Sequence, residues 1–407
     1  PRRVPSAELA HHRLPTVPTV LAHDRALGVL RRALAADRVP HAYLFHGPDG
    51  TGKRAAALMR AQALECENRG QTVPADQACG QCLPCTKVAR LLHPDVKVYF
   101  PRPKDASTED VTARLQRLAE NPYAEVDYRR RPSLDAPEST SNKQALYNVD
   151  FTREIMRQPR YTPAEGNYKV ALLIDVDAMN QESANAFLKL LEEPPPRTVF
   201  VGTCQRPDRL LPTILSRCQR LRFDPLPAAS IEHALCTKER LDAQRASFLA
   251  RLADGSYTRA LTLNESTELG AQRALVVQFM RKAYTNNPAE VLSIAEEVGR
   301  LGRERVKGWL ALLLTWVRDL VLVQAVGTHA PIVNVDQREA IEKFVAFVPN
   351  AQLGAMTTLV EQAEDLAGRN VALSLVLNVL AAALREAMHG GARVSLFAPL
   401  TEVRAAG

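Results

Sequence analysis

Long uninterrupted apolar runs are missing from this sequence. The longest, Trp309 to Val326, is broken by Arg318-Asp319, so no membrane span is expected. No basic-then-apolar secretory signal opens the chain, and because it starts at Pro1 without a Met, a few residues are expected to precede it. There is no large excess of one charge sign. The net charge of +7 is compatible with a surface facing nucleic acid but does not require one. The spread-out cysteine pairs of a secreted disulfide scaffold are also absent. Of seven cysteines, Cys79, Cys82 and Cys85 sit at C-x2-C spacing with Cys66 a short way upstream, while Cys204, Cys218 and Cys236 are dispersed. Such clustering points to metal and to an intracellular, cytoplasmic protein.

What is present is enough for two or three domains. The 407 residues are 46% hydrophobic and 24% charged, the balance of an ordinary globular protein. The most informative stretch is His41 to Arg54, HAYLFHGPDGTGKR. An apolar strand, Ala42-Tyr43-Leu44-Phe45, breaks into a glycine-rich turn that ends at Lys53, and an alanine-rich helical pattern follows. Those are the parts of a phosphate-cradling P-loop, in which backbone N–H groups and a helix N-terminus face phosphate oxygens. One position departs from the pattern. A Ser or Thr should follow the lysine to ligate Mg²⁺, and Arg54 stands there. A second buried strand, Asn167 to Asp175, ends in a carboxylate, and a third closes on Thr203. The candidate nucleotide-binding set is therefore Gly47, Gly50, Thr51, Gly52, Lys53, Arg54, Asp175 and Thr203.

Four thiolates suit a tetrahedral Zn²⁺, and C-x2-C steps bring sulfurs to about 3.7 Å apart. Cys66, Cys79, Cys82 and Cys85 are the candidate ligands, with buried free cysteines as the alternative. A closed four-sulfur shell leaves no open position, so the metal would be structural.

Elsewhere, helical spacing marks Ala26, Leu27, Leu30 and Leu34 before the P-loop strand. It also marks Ala184, Phe187, Leu188 and Leu191, a helix stopped by Glu193-Pro194. Lys97 to about Tyr147 reads as an inserted or partly disordered segment rich in Pro and charge, with a short helix over Val111 to Leu118. The triplet Arg129-Arg130-Arg131 in it is read as a solvated loop in preference to a DNA contact. After Ser216-Arg217-Cys218 comes a last strand, Gln219 to Phe223, and beyond Asp224-Pro225 strand signals fade. One apolar face there carries Trp309, Leu312, Leu313, Trp316, Leu320 and Val323, and another Leu373, Val376, Leu377, Leu380 and Leu384. Strands alternating with helices imply a parallel sheet covered on both faces.

Taken together, these residues resemble the clamp-loader branch of the AAA+ ATPases. The shared elements are His41 to Phe45, the P-loop, the four cysteines, Asn185 to Pro195 (NAFLKLLEEPP) and Thr213 to Cys218 (TILSRC), covering most of residues 18 to 261. The resemblance implies an α/β AAA+ domain over 1–225 with a zinc module at about 66–93 and the insert at about 97–147. A helical lid over 226–271 and an all-α collar over 272–407 would follow. Within this branch, the bacterial DNA polymerase III loader has an ATP-hydrolysing gamma/tau type and a stationary delta-prime type. The departures favour the second. Arg54 replaces the magnesium-ligating hydroxyl, and counting back from Leu191-Glu192-Glu193-Pro194 places Ile174 where gamma-type subunits carry Asp and Asp175 where they carry Glu. The sensor-2 arginine of the gamma type aligns with Thr258, one place before Arg259. Arg217 matches the arginine that reaches a neighbouring subunit's nucleotide, an arginine finger acting in trans, with an ordinary interface arginine as the alternative. Structural zinc, partner loader subunits, the sliding clamp and primed DNA are what the resemblance implies, with no membrane partner. Because the glycines and Lys53 are retained, ATP or ADP docking without turnover is one expectation for the loop, and an empty structural loop is the alternative. The competing readings are a gamma/tau-type motor and a stand-alone zinc-containing nucleic-acid-binding P-loop protein.

Overall fold

The computed structural model describes residues 17–128, 131, 133–134, 145–147, 162–285, 287–369, 371–391 and 395–397. They fall into two compact units. One is the chain up to Ala234 together with Ala253–Thr262; the other is Leu235–Leu252 with the chain from Leu263 onward.

The first unit is built on five parallel strands, β1 (Ala42–His46), β2 (Val96–Tyr99), β3 (Lys169–Leu173), β4 (Thr198–Cys204) and β5 (Gln219–Arg222), in the order β2-β3-β4-β1-β5. Register pairs Tyr43 with both Val201 and Gln219, Ala171 with Phe200, and Val98 with Leu172. Alternate residues serve opposite faces, as the two-residue period of a strand requires. Tyr43 and Phe45 face the core shared with α1 (Asp24–Ala35) and α2 (Lys53–Glu65). Ala42 and Leu44 face the core on the other side, beneath Ala184, Phe187, Leu190 and Leu191. Because both faces are covered, the inner strands β1, β3 and β4 read as near-continuous apolar runs rather than alternating ones, whereas β5 at the edge buries only Leu221. β1 has β4 and β5 as neighbours while its successor β2 lies at the far edge. The P-loop therefore leaves the carboxyl end of a central strand at a reversal of strand order, where open α/β sheets form their ligand crevice.

The segment from Lys97, expected as an insert, contributes to the sheet. β2 is a strand of four residues, with exposed Lys97 inside it and Pro101 soon after. A run of only four residues is too short to carry a usable strand period, and only its pairing with β3 makes it one. The short helix expected within this segment is α4 (Thr108–Glu120), after α3 (Leu83–Ala89). Ser107 caps it by accepting from the Asp110 N–H at 3.1 Å. The hydroxyl of Tyr147, at the insert's end, lies 2.6 Å from the Ile174 carbonyl and 3.0 Å from the Tyr99 carbonyl, which share its one hydrogen. Arg131 is buried at 6% exposure instead of lying in a solvated loop, while Arg129 and Arg130 lie outside the described residues.

Helix α5 (Gln181–Glu192) is capped by Asn180, which accepts from Ser183 N–H at 2.8 Å, and it ends before Pro194 as the sequence requires. Short α6 (Pro212–Arg217) leads into β5. Helices α7 (Ala228–Lys238), α8 (Ala243–Leu252) and α9 (Tyr257–Glu265) follow.

The second unit holds the bundle α10 (Leu269–Thr285), α11 (Pro288–Gly299), α12 (Arg303–Val326), α13 (Arg338–Phe347), α14 (Leu353–Gly368) and α15 (Leu373–Met388). By length and composition α12 is the one described helix apolar enough to cross a membrane. Its Trp309, Leu313, Trp316, Val317 and Leu320 are nevertheless buried in the bundle core with Val376, Leu377, Leu380 and Leu384 of α15. The charged pair interrupting its apolar run has two separate roles. Arg318 is exposed and pairs with Glu361 at 2.9 Å, whereas buried Asp319 accepts from the Val333 and Asn334 N–H groups, both at 2.8 Å, and from the Asn334 amide at 2.7 Å.

Candidate functional site

The P-loop forms as its sequence dictates, and its interior is occupied by the chain's own groups. Gly50 (φ 70°) and Gly52 (φ 106°) have left-handed backbones that suit glycine. A Cβ on Gly50 would lie 2.0 Å from the Ser256 hydroxyl, and one on Gly52 would lie 2.8 Å from the Tyr123 hydroxyl. Both glycines are thus packed against neighbouring side chains, Ser256 and Tyr123, on the side where a Cβ would stand. Thr51 is buried, donates to the Pro48 carbonyl at 3.0 Å, and accepts from His23 Nε2 at 2.8 Å through its own carbonyl. Gly47 packs under the Phe223 carbonyl.

Lys53 is 4% exposed and turns back on its loop, donating to the Gly47 carbonyl at 2.7 Å and to the Pro48 carbonyl. Burial lowers its ammonium pKa to about 8, opposed by the nearby charges of Asp49 and Asp175. Arg54, also buried, reaches the Thr258 hydroxyl at 3.5 Å. Asp175 and Thr203 meet, the Asp175 N–H donating to Thr203 Oγ1 at 3.0 Å. These two, with Gly50, Gly52, Lys53, Arg54, Tyr123 and Thr258, enclose a space of about 10 Å³. That is room for about one water.

Of the predicted nucleotide set, six residues line this space, while Gly47 and Thr51 support the loop from outside it. Sequence reasoning missed Tyr123 and His23. Tyr123 lies in the stretch read as an insert, and no motif marks it. His23 has a left-handed backbone immediately before α1 and no local signal of its reach to Thr51.

Arg217 is not among the lining residues. At the end of α6 it donates to the Thr213 carbonyl and pairs with Glu192 of α5, both at 3.0 Å, with its side chain 36% exposed.

The four predicted cysteines converge: their sulfurs all lie within 4.8 Å of one another. Cys66 caps the C-terminus of α2, Cys79 and Cys82 come from the following loop, and Cys85 lies in α3. The Cys79 sulfur accepts N–H groups from Gln81 (3.4 Å) and Cys82 (3.3 Å), and the Cys79 N–H points at the Cys66 sulfur (3.3 Å). Burial opposes thiolate formation at Cys79, but these donors outweigh it and hold the thiol down at about 6. An all-sulfur set with a thiolate already favoured is positioned to bind a metal and is compatible with zinc.

Comparison with known proteins places this geometry in a family. A family model described as "DNA polymerase III, delta subunit" matches residues 22–227, which include the whole sheet, the P-loop and the four cysteines. The chain is 26% identical over 321 residues to DNA polymerase III subunit delta' of Bacillus subtilis, covering 78% of this chain and 83% of that protein. It is 34% identical over 244 residues to subunit delta' of Pseudomonas aeruginosa, 60% of this chain and 61% of that protein. Against subunit tau of Salmonella typhimurium it is 28% identical over 348 residues, covering 80% of this chain but 47% of that protein. The chain thus spans about half the length of the tau subunits it matches. It belongs to the DNA polymerase III delta-subunit family, within the clamp-loader group whose delta' and tau members it resembles.

Proposed function

We propose that this chain is a delta-prime-like stator of a DNA polymerase III clamp loader, a subunit that completes the ring without hydrolysing ATP. The observation that carries this is the P-loop itself. Tyr123 and Thr258 close the space beside Gly52, and Arg54 occupies the place of the hydroxyl that would hold Mg²⁺. Loss of that metal handle removes the charge neutralisation on which phosphoryl transfer depends. Ile174, in place of a carboxylate, removes a second handle. What this chain contributes to catalysis is Arg217, which would leave Glu192 to place its planar, permanently charged fork on the γ-phosphate of a neighbouring motor subunit.

The four cysteines hold a structural zinc in this reading. Zinc would supply a tetrahedral cross-link between the end of α2 and the start of α3, and Gln62, donating to the Cys85 carbonyl at 2.9 Å, braces the same junction. Residues 226–271 serve as a lid and 272–407 as the collar that meets other loader subunits. The sliding clamp and primed DNA are reached through the assembled loader in the cytoplasm. The test is ATP turnover. The isolated chain should show none, and the loader reconstituted with it should turn over ATP and load clamps. Turnover by the isolated chain would sink the stator reading and favour a gamma/tau-type motor, the alternative supported by the broad similarity to tau subunits.

A further inference from the structure

The phosphate cradle is closed by hydrogen bonds that cross between distant parts of the chain. The Tyr123 carbonyl accepts from the Thr258 hydroxyl at 2.7 Å, and the Tyr123 hydroxyl accepts from the Leu21 N–H at 3.0 Å. Its ring stands edge-on to Tyr257, centroids 5.0 Å apart at 82°. The Tyr257 N–H in turn donates to the Gly50 carbonyl at 3.0 Å, on the rim of the P-loop. Burial pushes the Tyr123 phenol up to about 12, opposed by the Leu21 N–H, so the ring stays neutral and brings no anion to compensate Lys53. Lys53 is satisfied by its own loop's carbonyls instead. The cradle's other requirements, left-handed glycines, a lysine and a following helix, are all in place.

We propose that Tyr123 is an internal stopper that excludes nucleoside di- and triphosphates from an otherwise competent phosphate cradle. Removing its ring would convert the loop into a nucleotide-binding site that remains unable to hydrolyse. The inference deepens the stator reading and rests on it, because Arg54 still stands where the magnesium ligand should be. An incoming diphosphate takes the place of the aromatic ring beside Gly52 and draws the Lys53 ammonium from the Gly47 and Pro48 carbonyls, and its negative charge raises the lysine's lowered pKa back toward its ordinary value.

Titration calorimetry of the full, zinc-loaded chain with ADP tests this. The wild-type chain should show no saturable binding up to about millimolar ADP. Tyr123→Ala should bind at least about tenfold more tightly, and adding Lys53→Ala should abolish the gain. Micromolar ADP binding by the wild type would overturn the proposal. So would a Tyr123→Ala variant that keeps its cooperative thermal transition but gains no affinity. If Tyr123→Ala does not fold, amide exchange on the wild type decides. The Tyr257 N–H should be protected and unchanged by ADP, and a rise in its protection on adding ADP would refute the stopper. Wild-type ADP binding without turnover sinks the stopper but leaves the stator reading standing, whereas ATP turnover by the isolated wild type sinks both.

Discussion

Arg217 and Glu192 meet at 3.0 Å, joining two sequence motifs, the Leu-Glu-Glu-Pro-Pro end of α5 and the Ser-Arg-Cys end of α6. Both side chains are partly exposed, so the pair contributes little to stability. It holds the guanidinium in a defined place on the surface, braced also by the Thr213 carbonyl.

Arg217→Ala is therefore expected to leave the thermal midpoint within roughly 2 °C of wild type. ATP turnover by the reconstituted loader should fall at least about tenfold, given what an arginine finger contributes to phosphoryl transfer. Unchanged turnover would reduce Arg217 to an ordinary surface arginine.

Metal content and stability should be linked through Cys66, Cys79, Cys82 and Cys85. Cys79→Ser is expected to lose stoichiometric zinc by elemental analysis and to destabilise the fold by about 3 kcal/mol or more. Chelation of the wild type should do the same. If the metal-free protein melted at the wild-type temperature, the four sulfurs would not be a structural centre.

Lys53 makes stability depend on pH in a predictable direction. An unfolded lysine titrates near about 10.4, and burial lowers Lys53 to about 8 in the fold. Between these values the native state has released a proton that the unfolded chain keeps, so stability rises with pH; below the folded value the burial cost stands in full. Lys53→Met cannot titrate. Urea denaturation of both proteins at about pH 7, 8, 9 and 10 should show wild type gaining on the variant by roughly 1–3 kcal/mol, all of it above about pH 8. A constant difference across that range would contradict the burial of a charged Lys53.

In the helical bundle, Asp319→Ala strands three donors, the N–H groups of Val333 and Asn334 and the Asn334 amide. Leaving buried donors unpaired is expected to cost about 2–4 kcal/mol in urea or thermal denaturation. Arg318→Ala, one residue away and exposed, should cost under about 1 kcal/mol. Equal effects would mean that Asp319 does not organise the loop at 333–334.

The sequence determined what depends on neighbours along the chain. Four of the five strands, the helix faces around Leu30, Phe187, Trp309 and Leu380, and the C-x2-C steps all follow from residue spacing, because period and local chemistry decide them. The loss of the magnesium ligand at Arg54 was equally legible. Tertiary structure alone decided that β2 belongs to the sheet, since a four-residue edge strand holding Lys97 is made by its partner and not by its own pattern. It decided that the P-loop is filled, because Thr258 meets Tyr123 across 135 positions of sequence and Arg54 meets Thr258 across 204. No local signal reports such contacts. They exist only once the sheet has brought the carboxyl ends of its strands together.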